Sequence, residues 1–188
     1  EKFHPYQNFC VDYLVSHSRC GLFLDMGLGK TSITLKAIDI LMNDYLEIRK
    51  VLVIAPLRVA KMTWKDEVSK WEDFKDLTIQ EAIGTSEERI KAINSKAEIV
   101  TINRENIKWL YDYYISNKKR PPFDMIVIDE SSSFKNRSTA RWKACKAFTN
   151  IAKRVVILTG TPTPNGYMDL WSQIYLLDKG QRLGLTLT

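Results

Sequence analysis

The sequence predicts an α/β fold: a mostly parallel central sheet with helices on both faces. Short runs of β-branched and aliphatic residues alternate along the chain with longer amphipathic stretches, the pattern of repeated strand–helix–strand units. Several of the short runs are almost wholly apolar, as in strands covered on both faces. With 188 residues, 45% of them apolar, the chain suffices for one domain with a full core, expected to span residues 1–188.

The predicted strands cover residues 20–24, 51–55, 78–82, 98–102, 125–129 and 155–159. The predicted helices cover residues 6–16, 30–43, 59–71, 86–94, 104–116, 138–148 and 167–177. In the second of these, Ile33, Ala37, Ile38 and Leu41 recur on one face, at helical spacing. Trp64 and Trp71 fall on one stripe of the third, a spacing that predicts core packing rather than stacking on bases. Right-handed crossovers between such units give a doubly wound sheet.

Composition narrows the function classes. The formal net charge of +6 leans toward a polyanionic partner. Cys10, Cys20 and Cys145 stand far apart, and His4 and His17 complete no metal-ligand spacing, so three reduced thiols of an intracellular protein are expected. No apolar run is long enough to span a bilayer, and no membrane partner is expected. The chain starts at Glu1 and stops at Thr188 without an obvious end signal, and it is read as part of a longer protein.

Three stretches carry the chemistry. Gly27-Leu28-Gly29-Lys30-Thr31 follows an apolar run and opens an amphipathic one, the context of a phosphate-binding loop. Glycines let successive backbone N–H groups converge on phosphate oxygens, and the helix start adds positive dipole. Lys30 is expected to reach the β- and γ-phosphates and Thr31 to ligate Mg²⁺. The full glycine pattern wants glycine at position 24, where Leu24 stands. Met125-Ile126-Val127-Ile128 then ends in Asp129-Glu130, two carboxylates at the edge of a parallel sheet where ligands bind. Asp129 is expected to hold Mg²⁺ through water, and Glu130 to orient and deprotonate the attacking water. Leu158-Thr159-Gly160-Thr161-Pro162 ends another apolar run in small polar residues at the same edge, with hydroxyls placed to sense the γ-phosphate or hold Glu130.

Taken together, these pieces resemble the superfamily-two helicases, and within them the Swi/Snf-like double-stranded DNA translocases. The resemblance rests on Asp25-Met26-Gly27-Leu28-Gly29-Lys30-Thr31, on Asp129-Glu130 with Phe134-Lys135-Asn136, and on Leu158-Thr159-Gly160-Thr161-Pro162 with Asn165. That family's loop also lacks glycine at the position of Leu24. The resemblance implies a RecA-like P-loop NTPase domain, the first of two, that binds ATP and Mg²⁺ and couples hydrolysis to movement on double-stranded DNA without sequence specificity. Met26, Gly27, Leu28, Gly29, Lys30, Thr31 and Ser32 are then the nucleotide loop, and Pro5-Tyr6-Gln7 implies adenine recognition by Gln7. Ala55-Pro56-Leu57 with Trp64, Glu67 and Trp71, Val100-Thr101-Ile102-Asn103, and Leu170-Trp171 resemble further segments of the family in the expected order.

By the same resemblance, nucleic-acid contacts fall on Arg58, Lys61, Thr101, Asn103 and Arg104, and coupling between the sites on Ser132, Thr159, Gly160 and Thr161. The family usually continues Asp-Glu with Ala-His or Gly-His, whereas Ser131-Ser132 stand here. A second RecA-like domain would supply arginine fingers, so this half alone is expected to turn ATP over poorly. Two other readings stay open: an RNA helicase of the DEAD-box type, and a nucleotide-regulated interaction module without productive turnover.

Overall fold

The computed structural model describes residues 3–24, 27–130, 139–160 and 185–186. Seven parallel strands lie in the order β3-β4-β2-β5-β6-β1-β7. They are β1 (Arg19–Phe23), β2 (Val51–Ala55), β3 (Ile79–Glu81), β4 (Ile99–Asn103), β5 (Met125–Asp129), β6 (Arg154–Thr159) and β7 (Leu185–Thr186). The six predicted strands are present, each within a residue of its expected ends, and β7 adds a short seventh.

Among the described residues six α-helices return the chain: α1 (Pro5–Ser16), α2 (Lys30–Asp39), α3 (Trp64–Lys70), α4 (Ser86–Ile93), α5 (Ile107–Ser116) and α6 (Ala140–Ile151). Strand periodicity assigns them to faces. On β2, Val51, Val53 and Ala55 pack with residues of α1, α2 and α3, while Leu52 and Ile54 pack with residues of α4, α5 and α6. Both faces of β2, β4 and β5 are thereby buried, which explains their near-continuous apolar sequence.

Three predicted helices are interrupted near an end. The stretch over 30–43 passes from α2 into a π-helical turn, Ile40–Asp44, in which Tyr45 N donates to Ile40 O. The stretch over 59–71 begins with another π-helical turn, Val59–Thr63, and becomes regular only at Trp64. The stretch over 104–116 opens with a 3₁₀ turn at Arg104–Asn106. The α4 start follows local rules closely: Thr85 accepts from Glu88 N, and Gly84 at φ +104° leaves room for the returning Glu88 carboxylate. The predicted helix over 167–177 lies outside the described residues.

The amino ends of the central strands are tied together by one carboxylate. Asp124 accepts from Arg49 N at 2.8 Å and Lys50 N at 3.0 Å, setting the start of β2. Its backbone carbonyl accepts from Lys153 N at 2.9 Å, setting the start of β6. Arg19 and Arg154 cap helix ends at the same rim, on Ala152 O and Leu14 O. Asp124→Ala leaves two amide donors without a partner and is expected to cost about 1–3 kcal/mol, read as a lower denaturant midpoint with an unchanged slope.

Candidate nucleotide and metal site

The carboxyl ends of the strands form the opposite rim. Phe23 aligns with Thr159, Leu158 with Asp129, and Ala55 with Asn103 across the sheet. This register sets the three sequence signals side by side. Leu24 N, where the chain leaves β1 for the loop, donates to Thr159 O at 3.1 Å.

The loop before α2 has the conformation that its glycines allow. Gly27 and Gly29 stand at φ +88° and +85°, in the left-handed region that side chains disfavour. A Cβ on Gly29 would meet Gln7 Nε2 at 2.5 Å, so the bare backbone also lets α1 approach. Gln7 Nε2 and Tyr6 Oη both donate to Leu28 O, and Gln7 Oε1 accepts from His4 N at 2.8 Å. Ser32 Oγ donates to Gly29 O, closing the first turn of α2.

Gln7, Gly27, Gly29 and Ser32 face a cleft of about 390 Å³ with Glu67 and Trp71 on the other side. Trp71 donates to Glu67 Oε1 and stacks on Phe3, with ring centroids 4.9 Å apart. The cleft therefore offers an aromatic wall beside an amide that keeps one donor and one acceptor site in hand.

Lys30 Nζ lies 3.1 Å from Glu130 Oε1, joining the loop to the end of β5. The lysine side chain is 12% exposed and the glutamate 42%. Glu130 adopts φ +55°, a left-handed conformation that costs a non-glycine residue energy and turns the chain sharply off the strand. Asp129 is 5% exposed. Its Oδ2 accepts from Trp64 Nε1 at 3.0 Å. Burial pushes the Asp129 carboxyl above its ordinary value. The Trp64 hydrogen bond and the Lys30 ammonium pull it back, and neighbouring Glu130 pushes it up.

A divalent cation fits this donor set. A buried carboxylate held by the Trp64 N–H and the Glu130 backbone N–H still carries a charge that a cation would neutralise. The Thr31 hydroxyl, half-buried at the first turn of α2, makes no hydrogen bond to a described residue. Oxygen ligands of this kind suit Mg²⁺, which keeps several of its waters.

The remaining predicted positions divide. Arg58 and Lys61 are exposed, and Lys61 borders an open groove of about 810 Å³ with Gln80 and Lys91. Thr101 does not reach the surface: it is wholly buried on β4, and its hydroxyl donates to Ala60 O at 2.6 Å. Asn103 is 7% exposed, with its amide donating to Glu105 and accepting from Asn106. Arg104 pairs with Glu105 at 3.6 Å. Thr101 and Asn103 are thus enclosed on β4, which is buried at every position, and both side chains make internal hydrogen bonds. Thr159 is buried at the end of β6, and a Cβ on the following Gly160 would lie 3.9 Å from Leu24 O. Met26, Ser132 and Thr161 lie outside the described residues.

Sequence reasoning missed Trp64. It was placed in the core, where it is, but its N–H reaches the expected metal ligand. The signal available was a tryptophan, which when buried needs an acceptor.

The raised Asp129 carboxyl fixes a sign. The folded state holds this proton more tightly than the unfolded chain, so stability falls as pH rises from the ordinary aspartate value through the raised one, and the deficit persists above it. Asp129→Asn is therefore expected to raise the unfolding midpoint at neutral pH without added cation and to flatten this part of the pH dependence. Thermal melts between about pH 4 and pH 8 check it.

Comparison with known proteins bears on these residues as a set. The family model described as SNF2-related domain matches residues 6–181. Protein p41 of Acyrthosiphon pisum secondary endosymbiont phage 1 is 40% identical over 188 residues, 97% of this chain and 40% of that protein. The SWI/SNF-related matrix-associated actin-dependent regulator of chromatin subfamily A-like protein 1 of Bos taurus is 30% identical, covering 90% of this chain and 17% of its own. The Sulfolobus solfataricus SWI2/SNF2 ATPase core, solved in complex with double-stranded DNA, superimposes with a TM-score of 0.80 at 29% identity, over 96% of this chain and 36% of that one. The UvsW helicase of bacteriophage T4 shares the fold, with a TM-score of 0.70 at 18% identity. The chain spans two fifths or less of the length of these curated relatives. The RecA-like α/β architecture, the ordered loop, acidic and threonine signals, and a family match over nearly the whole length lead to one statement: this chain belongs to the SNF2-related domain family, as a Swi/Snf-like superfamily-two helicase N-terminal domain.

Proposed function

We propose that this chain is the ATP-binding half of a DNA-dependent ATPase that couples hydrolysis to movement on double-stranded DNA. The observation that carries the reading is the 3.1 Å contact between Lys30 Nζ and Glu130 Oε1, with Asp129 beside it at the end of the same strand. A loop cation and two strand-end carboxylates converge where the open edge of a parallel sheet accepts ligands.

In this reading the backbone amides of Gly27, Leu28 and Gly29 and the start of α2 cradle phosphate, and Gln7 and Trp71 border the base. Lys30 exchanges Glu130 for the more highly charged β- and γ-phosphates. Thr31 and Asp129 hold Mg²⁺, which neutralises charge on the phosphates when bound. Glu130, released from the lysine, orients the attacking water and accepts its proton. A second RecA-like half in the intact protein supplies arginine to the opposite side of the nucleotide, a contribution of about 10³–10⁵ in rate in related enzymes, so this half alone is slow.

The nucleic-acid contacts assigned to this half are Arg58 and Lys61, with Arg104 at the same rim. Their cationic side chains would grip phosphates and ignore sequence. The double-stranded DNA bound to the Sulfolobus relative supports a duplex as partner.

In the intact protein, Glu130→Gln is expected to lower duplex-stimulated turnover by about 10²-fold or more while ATP still binds. Unchanged turnover would favour a nucleotide-regulated interaction module. Stimulation by single-stranded RNA rather than duplex DNA would favour an RNA helicase. Arg58→Ala and Lys61→Ala should each weaken duplex binding across all sequences and reduce the slope of log affinity against log salt by about one.

A further inference from the structure

Trp64 touches two regions that a motor has to connect. It is the first residue of α3 and directly follows the π-helical turn Val59–Thr63. That turn contains the exposed Lys61 and starts next to the exposed Arg58. On its other side, the wholly buried indole donates Nε1–H to Asp129 Oδ2 at 3.0 Å. The turn is tied to the sheet where Thr101 Oγ1 donates to Ala60 O at 2.6 Å.

Packing explains why the indole ring is inside, but not where its N–H goes. The acceptor is one of the two oxygens of a carboxylate that is itself almost fully buried. An N–H in that position restricts the carboxylate's rotation about its own bond. Residues that orient a metal ligand in this way tune metal affinity without touching the metal. The wide turn before Trp64 supplies the other half of the connection. The segment that carries Arg58 and Lys61 runs without a break into α3, whose first residue is Trp64.

We propose that Trp64 is a positioning residue: it orients Asp129 for the Mg²⁺–nucleotide complex and transmits displacement of the 58–63 segment to it. DNA occupancy and metal–nucleotide affinity are then linked through one indole. This rests on the nucleotide site proposed above, and coupling of this kind is reciprocal.

The test uses the intact protein and a fluorescent ADP analogue titrated with Mg²⁺, with and without a short duplex. In Trp64→Phe, which keeps an aromatic ring and removes the N–H, the Mg²⁺ needed for half-maximal binding should rise about tenfold. Analogue binding in the absence of Mg²⁺ should stay as in the unaltered protein. The change that duplex DNA makes to Mg²⁺-dependent binding should shrink in the variant. A variant with the same Mg²⁺ dependence and the same response to duplex overturns the proposal. Unaltered protein that binds no Mg²⁺–nucleotide at all would instead overturn the nucleotide site, and this inference with it. A measurement without substitution guards against poor folding of the variant. The Trp64 indole N–H resonance of the unaltered, nucleotide-bound protein should shift on addition of Mg²⁺, and a resonance that stays in place refutes the positioning role.

Discussion

An almost fully buried carboxylate is the constraint on which this rim turns. Asp129 ends the central strand β5, with β2 on one side and β6 on the other, and helices cover both faces. Its charge is tolerable there only because Trp64 donates to it, Lys30 lies nearby, and the open edge of the sheet leaves a route for a cation. The left-handed turn at Glu130 follows it directly, and Lys30 from the loop reaches that turn.

The fold was written plainly in the sequence because its strands are buried on both sides. Continuous apolar runs such as Val51–Ala55 and Met125–Asp129 locate their own ends, and the register between them follows from parallel pairing. Helix interiors were equally readable, but their first and last turns were not. The π-helical turns at Ile40–Asp44 and Val59–Thr63 depend on tertiary partners, such as the Thr101 hydroxyl on Ala60 O, that no local pattern records.

Legibility of the site divides along similar lines. Lys30, Asp129 and Glu130 are residue types whose spacing relative to strand ends is informative, and the structure brings the lysine and Glu130 into contact. Thr101 and Asn103 were assigned by order along the chain. Order along the chain carries no record of burial, and on a five-residue strand buried at every position both side chains are enclosed. Trp64 failed in the opposite direction: periodicity correctly placed its ring in the core, while the direction of a single N–H depends on which acceptor lies across the sheet.

Asp124 gives the molecule a division of labour between its two ends. By gathering the first residues of β2 and β6 around one side chain and one carbonyl, it fastens the sheet at the edge remote from the nucleotide loop. Rigidity is imposed from below, so the upper edge can give slightly as ligands come and go without the strands sliding past one another. Variation at the loops above and reinforcement at the base below are therefore separable, and a lineage could retune the chemistry of one while leaving the foundation of the other untouched.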